Sequence, residues 1–221
     1  MRTKFDEQLN QLHVDLIKMG SLCEEAITLA AQALLREPGA DPQKVFSLET
    51  EIDQLEWEIE SHCMRLLLRQ QPMARDLRSV SAALKIISDM ERIGDQAADI
   101  AELTPYIADC ALQNKLHIKD MAKEAVSMVT GSVDAYVKED LDLVQKVIDQ
   151  DDTVDALFNQ VKTELIELVQ EKGTDAQAAL DLLMAAKYFE RIGDHAVNVA
   201  EWVEYSLTGV HKSSEHHPAL C

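Results

Sequence analysis

Glu91 and Asp95 stand four residues apart in the run Glu91-Arg92-Ile93-Gly94-Asp95, and the same five residue types return as Glu190-Arg191-Ile192-Gly193-Asp194. Four residues is close to one helical turn, so each acid pair projects from one face of a helix. The flanks repeat as well, with Asp99-Ile100-Ala101-Glu102 answered by Asn198-Val199-Ala200-Glu201. A shared run of this kind marks a tandem duplication. Upstream, Glu49-Thr50-Glu51-Ile52-Asp53 aligns with Asp151-Asp152-Thr153-Val154-Asp155, again an acid followed four residues later by Asp. Each half of the chain therefore carries two acid pairs.

Gathered carboxylates can do chemistry that scattered ones cannot. Like charges within about 4–6 Å raise one another's pKa, and partial burial adds to the effect. Protonation relieves the repulsion, and so does a polyvalent cation, as in carboxylate-bridged metal sites built across helix bundles. All-oxygen ligation suits Mg²⁺, Ca²⁺, Mn²⁺ or ferric iron, with zinc also possible. One acid pair on a helix means little, because solvated helix faces are rich in them. Four pairs, duplicated, carry more weight.

The elements that must bring the pairs together are helices. Leu9, Leu12, Leu16, Met19, Cys23, Ile27, Ala30 and Leu34 recur at three- and four-residue steps and predict a first helix with one apolar stripe. Pro38-Gly39-Ala40-Asp41-Pro42 ends it. A second helix is expected from near Gln43, with Val45, Leu48, Ile52, Leu55, Ile59 and Leu66 on its buried face, ending before Pro72. A third runs from about Arg75 to about Thr104 through Val80, Ala83, Leu84, Ile87, Ile93 and Ala97. The order then repeats. A helix spans Leu116 to about Val137, a polar break follows at Lys138-Glu139-Asp140, and a fifth helix spans Val144 to about Gln170. Lys172-Gly173-Thr174-Asp175 forms a turn, and Thr174 or Asp175 caps a last helix carrying Leu180, Leu183, Ala186, Phe189, Ile192, Val199 and Val203. No segment shows the sustained alternation of a strand. The expectation is an all-α fold: two tandem three-helix bundles related by internal duplication, over residues 1–106 and 107–209, with a polar C-terminal tail over 210–221.

Antiparallel helices joined by a tight turn place residues level when they are equidistant from it. About Pro72, Glu49 comes opposite Asp95 and Asp53 opposite Glu91. About the point between Lys172 and Gly173, Asp151 comes opposite Asp194 and Asp155 opposite Glu190. Four carboxylates thus share one level in each half, roughly 26–35 Å from the turn at about 1.5 Å per residue. Glu49, Asp53, Glu91 and Asp95 form one candidate metal-ligand set; Asp151, Asp155, Glu190 and Asp194 form the other. Gly94 and Gly193, each in mid-helix at a cost of about 1 kcal/mol against alanine, suggest close approach by another helix or a metal cluster, or simple inheritance through duplication. Arg92 and Arg191 could pair with neighbouring acids or be read by a partner. His195 points about 100° away from Asp194 and is expected outside the ligand set. His211, His216 and His217 near Cys221 resemble a loose metal tract, but a frayed tail is the favoured reading.

The formal net charge of −19 sets further bounds. Nucleic acid and bare anionic membrane would repel such a surface, whereas a basic protein or a bound cation would complement it; acidity can also serve solubility alone. The four cysteines, Cys23, Cys63, Cys110 and Cys221, contain no Cys-x-x-Cys pair and read as buried or idle thiols in a reducing compartment rather than a disulfide scaffold. The start of the chain has no apolar signal region and charges interrupt every apolar run, so a cytoplasmic protein is expected. No nucleophile–base arrangement or phosphate-binding glycine loop is present, which points away from an enzyme. Within this acidic chain Arg69, Arg75 and Arg78 cluster around Pro72, as helix-end charge or as an anion- or partner-binding tip.

The two three-helix repeats, the four acid-x-x-x-Asp pairs and the turn Arg69-Gln70-Gln71-Pro72 before Asp76-Leu77-Arg78 together resemble the PhoU family of phosphate-uptake regulators over nearly the whole chain. The last copy departs from the first in having Asn198 for Asp99. The resemblance implies a cytoplasmic adaptor that represses phosphate-starvation signalling and phosphate uptake by coupling a phosphate ABC transporter, through its ATPase, to a sensor histidine kinase. It implies iron or zinc on the acid pairs, a homodimer, and peripheral membrane association only through protein partners. The rival reading is a di-metal carboxylate oxidase or a metal-storage bundle. That class uses Glu-x-x-His on facing helices, which the repeated sites lack.

Overall fold

The computed structural model describes residues 2–70, 72–107, 117–170 and 175–211, with side chains for all of these except 2–4, 6 and 70. Six helices follow in order: α1 (Arg2–Leu34), α2 (Pro42–Gln70), α3 (Arg75–Leu103), α4 (Ile118–Lys138), α5 (Leu141–Val169) and α6 (Ala176–Thr208). No strand occurs among the described residues. The fold is all-α, as the apolar periodicity predicts.

Local chemistry sets the helix ends. After α1 the chain enters left-handed angles at Arg36 (φ 54°) and Gly39 (φ 86°), and Pro42 then opens α2 where a missing N–H costs nothing. Asp41 Oδ1 accepts the Gln43 N–H at 3.0 Å and caps that end. Glu139, at φ 52°, closes α4. Asp140 Oδ1 then accepts the N–H groups of Asp142 (2.9 Å) and Leu143 (3.2 Å). This cap starts α5 at Leu141, three residues before the apolar pattern does. Of the two candidate caps for α6, Asp175 is one in fact, accepting from Gln177 N at 2.9 Å and Ala178 N at 3.4 Å; Thr174 lies outside the described residues.

The apolar stripes meet in one continuous core drawn from all six helices. Within each repeat the helices pack as neighbours, and α3 also lies along α6 while α1 lies along α4. The two bundles therefore share their interior along a central α3–α6 seam. Polar contacts tie this seam, with Asp89 of α3 meeting His195 and Asn198 of α6. One expected core residue is displaced: Leu180 is 58% exposed. The buried face of α6 runs through Leu182, Ala186, Phe189 and Gly193. Leu180 precedes Leu182 by two residues, about 200° around the helix, and so faces solvent.

Cys23 and Cys63 are buried free thiols, each pushed up to about 12 chiefly by burial. Cys110, Cys221, His216 and His217 lie outside the described residues. His211 rests against the Trp202 ring at 4.1 Å between centroids. No described helix is long and apolar enough to cross a membrane.

Candidate metal centre

α2 and α3 carry the first set of acids to one level of the first bundle. Carboxylate oxygens of Glu49, Asp53 and Asp95 all lie within 4.8 Å of one another. The expected opposition of Glu49 to Asp95 about Pro72 is therefore realised in space. Burial holds the Glu49 carboxyl above its ordinary value, with Asp53 and then Asp95 adding repulsion. Burial and then Asp95 do the same to Asp53. Glu91 is raised by burial and next by Asp95. Its electrostatic neighbours include Asp53 and also Glu56, so it stands at the edge of the trio.

The second set forms on α5 and α6. Asp151 is raised from an ordinary 3.8 to about 6, first by burial and then by Asp194, Asp155 and Glu190 in that order. Asp194 is raised by burial and Glu190, while Lys187 and His195 pull it back. All four expected acids are thus neighbours here too. Among the described residues, however, the first set is the one in which three ligand atoms, those of Glu49, Asp53 and Asp95 without Glu91, already lie within reach of a single ion.

The repeated glycines mark where the helices touch. A Cβ on Gly94 would stand 3.0 Å from Ile52 Cδ1. One on Gly193 would stand 3.3 Å from Asp151 Oδ1 and 3.5 Å from Val154 Cγ1. Close approach is the physical reason for both. Gly193→Ala should raise helix propensity by up to about 1 kcal/mol while pushing Asp151 aside by a few tenths of an ångström. The expected outcome is an unchanged or slightly raised melting temperature with weaker cation binding in the second repeat, read by metal titration.

The charged residues around the acids divide the two copies. Arg92 bonds Asp95 at 3.2 Å and approaches Glu91 at 3.5 Å from an exposed position. Its copy, Arg191, lies 6.0 Å over the Tyr188 ring and offsets part of the rise that burial, Asp95 and Glu102 impose on Asp99, an acid of the first repeat. Lys187 makes an ion pair with Glu190. His195 turns from the ligand set, as expected, and places Nδ1 2.9 Å from Asp89 Oδ1 on α3. Asn198 donates to the same oxygen at 3.1 Å, so the residue replacing Asp99 helps join the bundles.

Two arginines of the first turn also serve the joint. Arg75 pairs with Glu139 after α4. Arg78 Nε reaches the Ser206 carbonyl at 3.5 Å. Sequence reasoning missed Lys187 and Asp89. The i, i+3 spacing of Lys187 to Glu190 was a usable signal; nothing local pointed to Asp89, whose partners lie more than a hundred residues away.

The donor set suits a hard cation. The ligands are all oxygen, they are partly exposed to solvent, and they are held close enough to repel one another. A cation there would remove the repulsion that raises their pKa values.

The comparison with known proteins agrees with this architecture. The family model described as the PhoU domain matches twice, over residues 16–104 and 118–203. The chain belongs to the PhoU family. A PhoU homolog of Clostridium acetobutylicum, named a phosphate-specific transport system accessory protein, is 35% identical over 215 residues, covering 94% of this chain and 96% of that one. The homolog of Aquifex aeolicus is 37% identical over 189 residues, covering 85% and 86%. The crystal structure of PhoU from Pseudomonas aeruginosa superposes with a TM-score of 0.84 at 31% identity, covering 93% of this chain and all (100%) of that one. PhoU from Streptococcus pneumoniae, titled a phosphate transport system regulatory protein, gives 0.85 at 26% identity, covering 94% and 98%. Each PhoU match thus contains one complete acid cluster, α2–α3 in the first and α5–α6 in the second.

Proposed function

We propose that this chain is an accessory regulator of phosphate transport whose two carboxylate clusters bind metal ions. It acts in the cytoplasm as a repressor of phosphate-starvation signalling, coupling the ATPase of a phosphate ABC transporter to a sensor histidine kinase. The observation that carries this reading is the near-full-length PhoU match together with a carboxylate cluster in each matched repeat. Glu49, Asp53, Glu91 and Asp95 would hold metal in the first repeat, and Asp151, Asp155, Glu190 and Asp194 in the second. Iron or zinc is favoured by the family, and Mg²⁺, Mn²⁺ or Ca²⁺ by the all-oxygen ligands. Bound metal would neutralise the acids and brace the facing helices of each pair. An acidic surface of net charge −19 favours basic patches on its partners and disfavours nucleic acid and anionic lipid, so membrane association comes only through those partners. A homodimer is the proposed assembly.

Deleting the gene in its own host should leave phosphate-starvation genes switched on in phosphate-rich medium. The wild-type chain should restore repression and also co-purify the transporter ATPase and the kinase from detergent-solubilised membranes. Normal repression in the deletion strain would contradict the regulatory reading.

A further inference from the structure

The two clusters place four acids at matching positions but have different built-in cations. In the first, Arg92 is the cation, and its side chain is 61% exposed. Exposed pairs of this kind contribute little and are screened by salt. In the second, Lys187 is 37% exposed and its partner Glu190 only 13%. The ammonium group also lies 5.4 Å over the Phe158 ring of α5, a cation–π arrangement that bridges the two helices of the site. The first repeat has Ser88 at the corresponding position, and its hydroxyl turns to Glu56, outside the acid set, at 3.2 Å.

Resting on the metal reading above, we propose that Lys187 is a tethered counter-cation of the second cluster, which a metal ion must displace, so that the first repeat fills before the second. The ammonium group and the incoming ion compete for the same carboxylates. An ion entering the first site meets only a solvent-screened guanidinium. An ion entering the second must separate a half-buried pair and move the Lys187 ammonium away from Glu190. The consequence is graded loading, with the second repeat responding only at a higher metal level.

The test is titration of the metal-free full chain with Mn²⁺, following free Mn²⁺ by electron paramagnetic resonance. The sites are assigned with Asp53→Asn/Asp95→Asn and Asp151→Asn/Asp194→Asn. The wild-type chain should show two affinities, the weaker lost in the Asp151→Asn/Asp194→Asn variant. Lys187→Met, which keeps an apolar stem against Phe158, should tighten the second site about tenfold and leave the first unchanged. Lys187→Arg, which keeps the charge, should retain the wild-type order. A second-site affinity unchanged in Lys187→Met, or tightened equally in Lys187→Arg, would overturn the proposal while leaving metal binding in place. No Mn²⁺ bound at either site would overturn both.

Discussion

Metal-free protein should lose stability as pH rises from about 4 to about 7, and added Mn²⁺ should restore it. The cause lies in the second cluster, where Asp151 is raised from 3.8 to about 6 by burial and by three neighbouring acids. A folded-state pKa above the unfolded one means that the native state holds its proton more tightly. The resulting stabilisation is fully present below about pH 4, the unfolded value, and is lost as pH climbs through about 6. A rise of this size corresponds to about 3 kcal/mol, reduced by solvent screening at this partly exposed site to roughly 1–2 kcal/mol. Glu49, Asp53, Glu91, Asp99 and Asp194 shift in the same direction and add to the trend.

Mn²⁺ at a hundred times its dissociation constant would return about 2.7 kcal/mol. The double variant Asp151→Asn/Asp194→Asn isolates the effect from ordinary acid unfolding. At pH 7 without metal it should melt higher than wild type by roughly 2–8 °C, at about 2–4 °C per kcal/mol. It should also lose the second repeat's share of the metal-induced rise. Thermal melts at pH 4.5, 6 and 7.5, with and without Mn²⁺, read both results. Residues that weaken the empty fold and strengthen the loaded one are what a binding site requires.

Phe189→Ala should be the most damaging single substitution near the sites. Phe189 is 0% exposed and immediately precedes Glu190, with its ring in the shared core while the carboxylate faces the cluster. Truncating a buried phenylalanine costs about 3–5 kcal/mol, set against a total stability of about 5–15 kcal/mol for a domain. The melting temperature should fall by roughly 6–20 °C. Metal should recover part of the loss, because it binds only the folded arrangement. Leu180→Ala, nine residues earlier on the same helix, should change stability by less than about 0.5 kcal/mol, since Leu180 faces solvent. Comparable losses from the two variants, in denaturant titration, would contradict the assignment of the α6 buried face.

The acid levels were legible from sequence because they depend on two local facts. Acids four apart share a helix face, and Pro72 fixes the turn about which α2 and α3 reflect. Neither fact requires tertiary knowledge, and Glu49 and Asp95 duly meet. Leu180 was misplaced because its three-residue step to Leu183 fits the helical period as well as the true stripe does. Only packing of α6 against both α3 and its own bundle selects Leu182, Ala186 and Phe189. The seam itself was least legible. Asp89 lies more than a hundred residues from its partners His195 and Asn198 on the chain, and Arg78 meets Ser206 from as far. Duplication breaks its own symmetry there: the copies of Asp89 and His195 are Tyr188 and Gln96. The same divergence gives Arg92 to its own acids and Arg191 to Asp99 of the other repeat.

Metal stoichiometry tests the central claim most directly. Metal-free chain is dialysed to equilibrium against Mn²⁺, and bound metal is measured by elemental analysis for the wild type, each double-asparagine variant and the fourfold variant Asp53→Asn/Asp95→Asn/Asp151→Asn/Asp194→Asn. Bound metal should fall by one repeat's share in each double variant and vanish in the fourfold variant, with the helical circular dichroism unchanged. A wild-type chain that retains no metal, or a fourfold variant that retains as much as wild type, would contradict the assignment of the paired carboxylates as the metal centre.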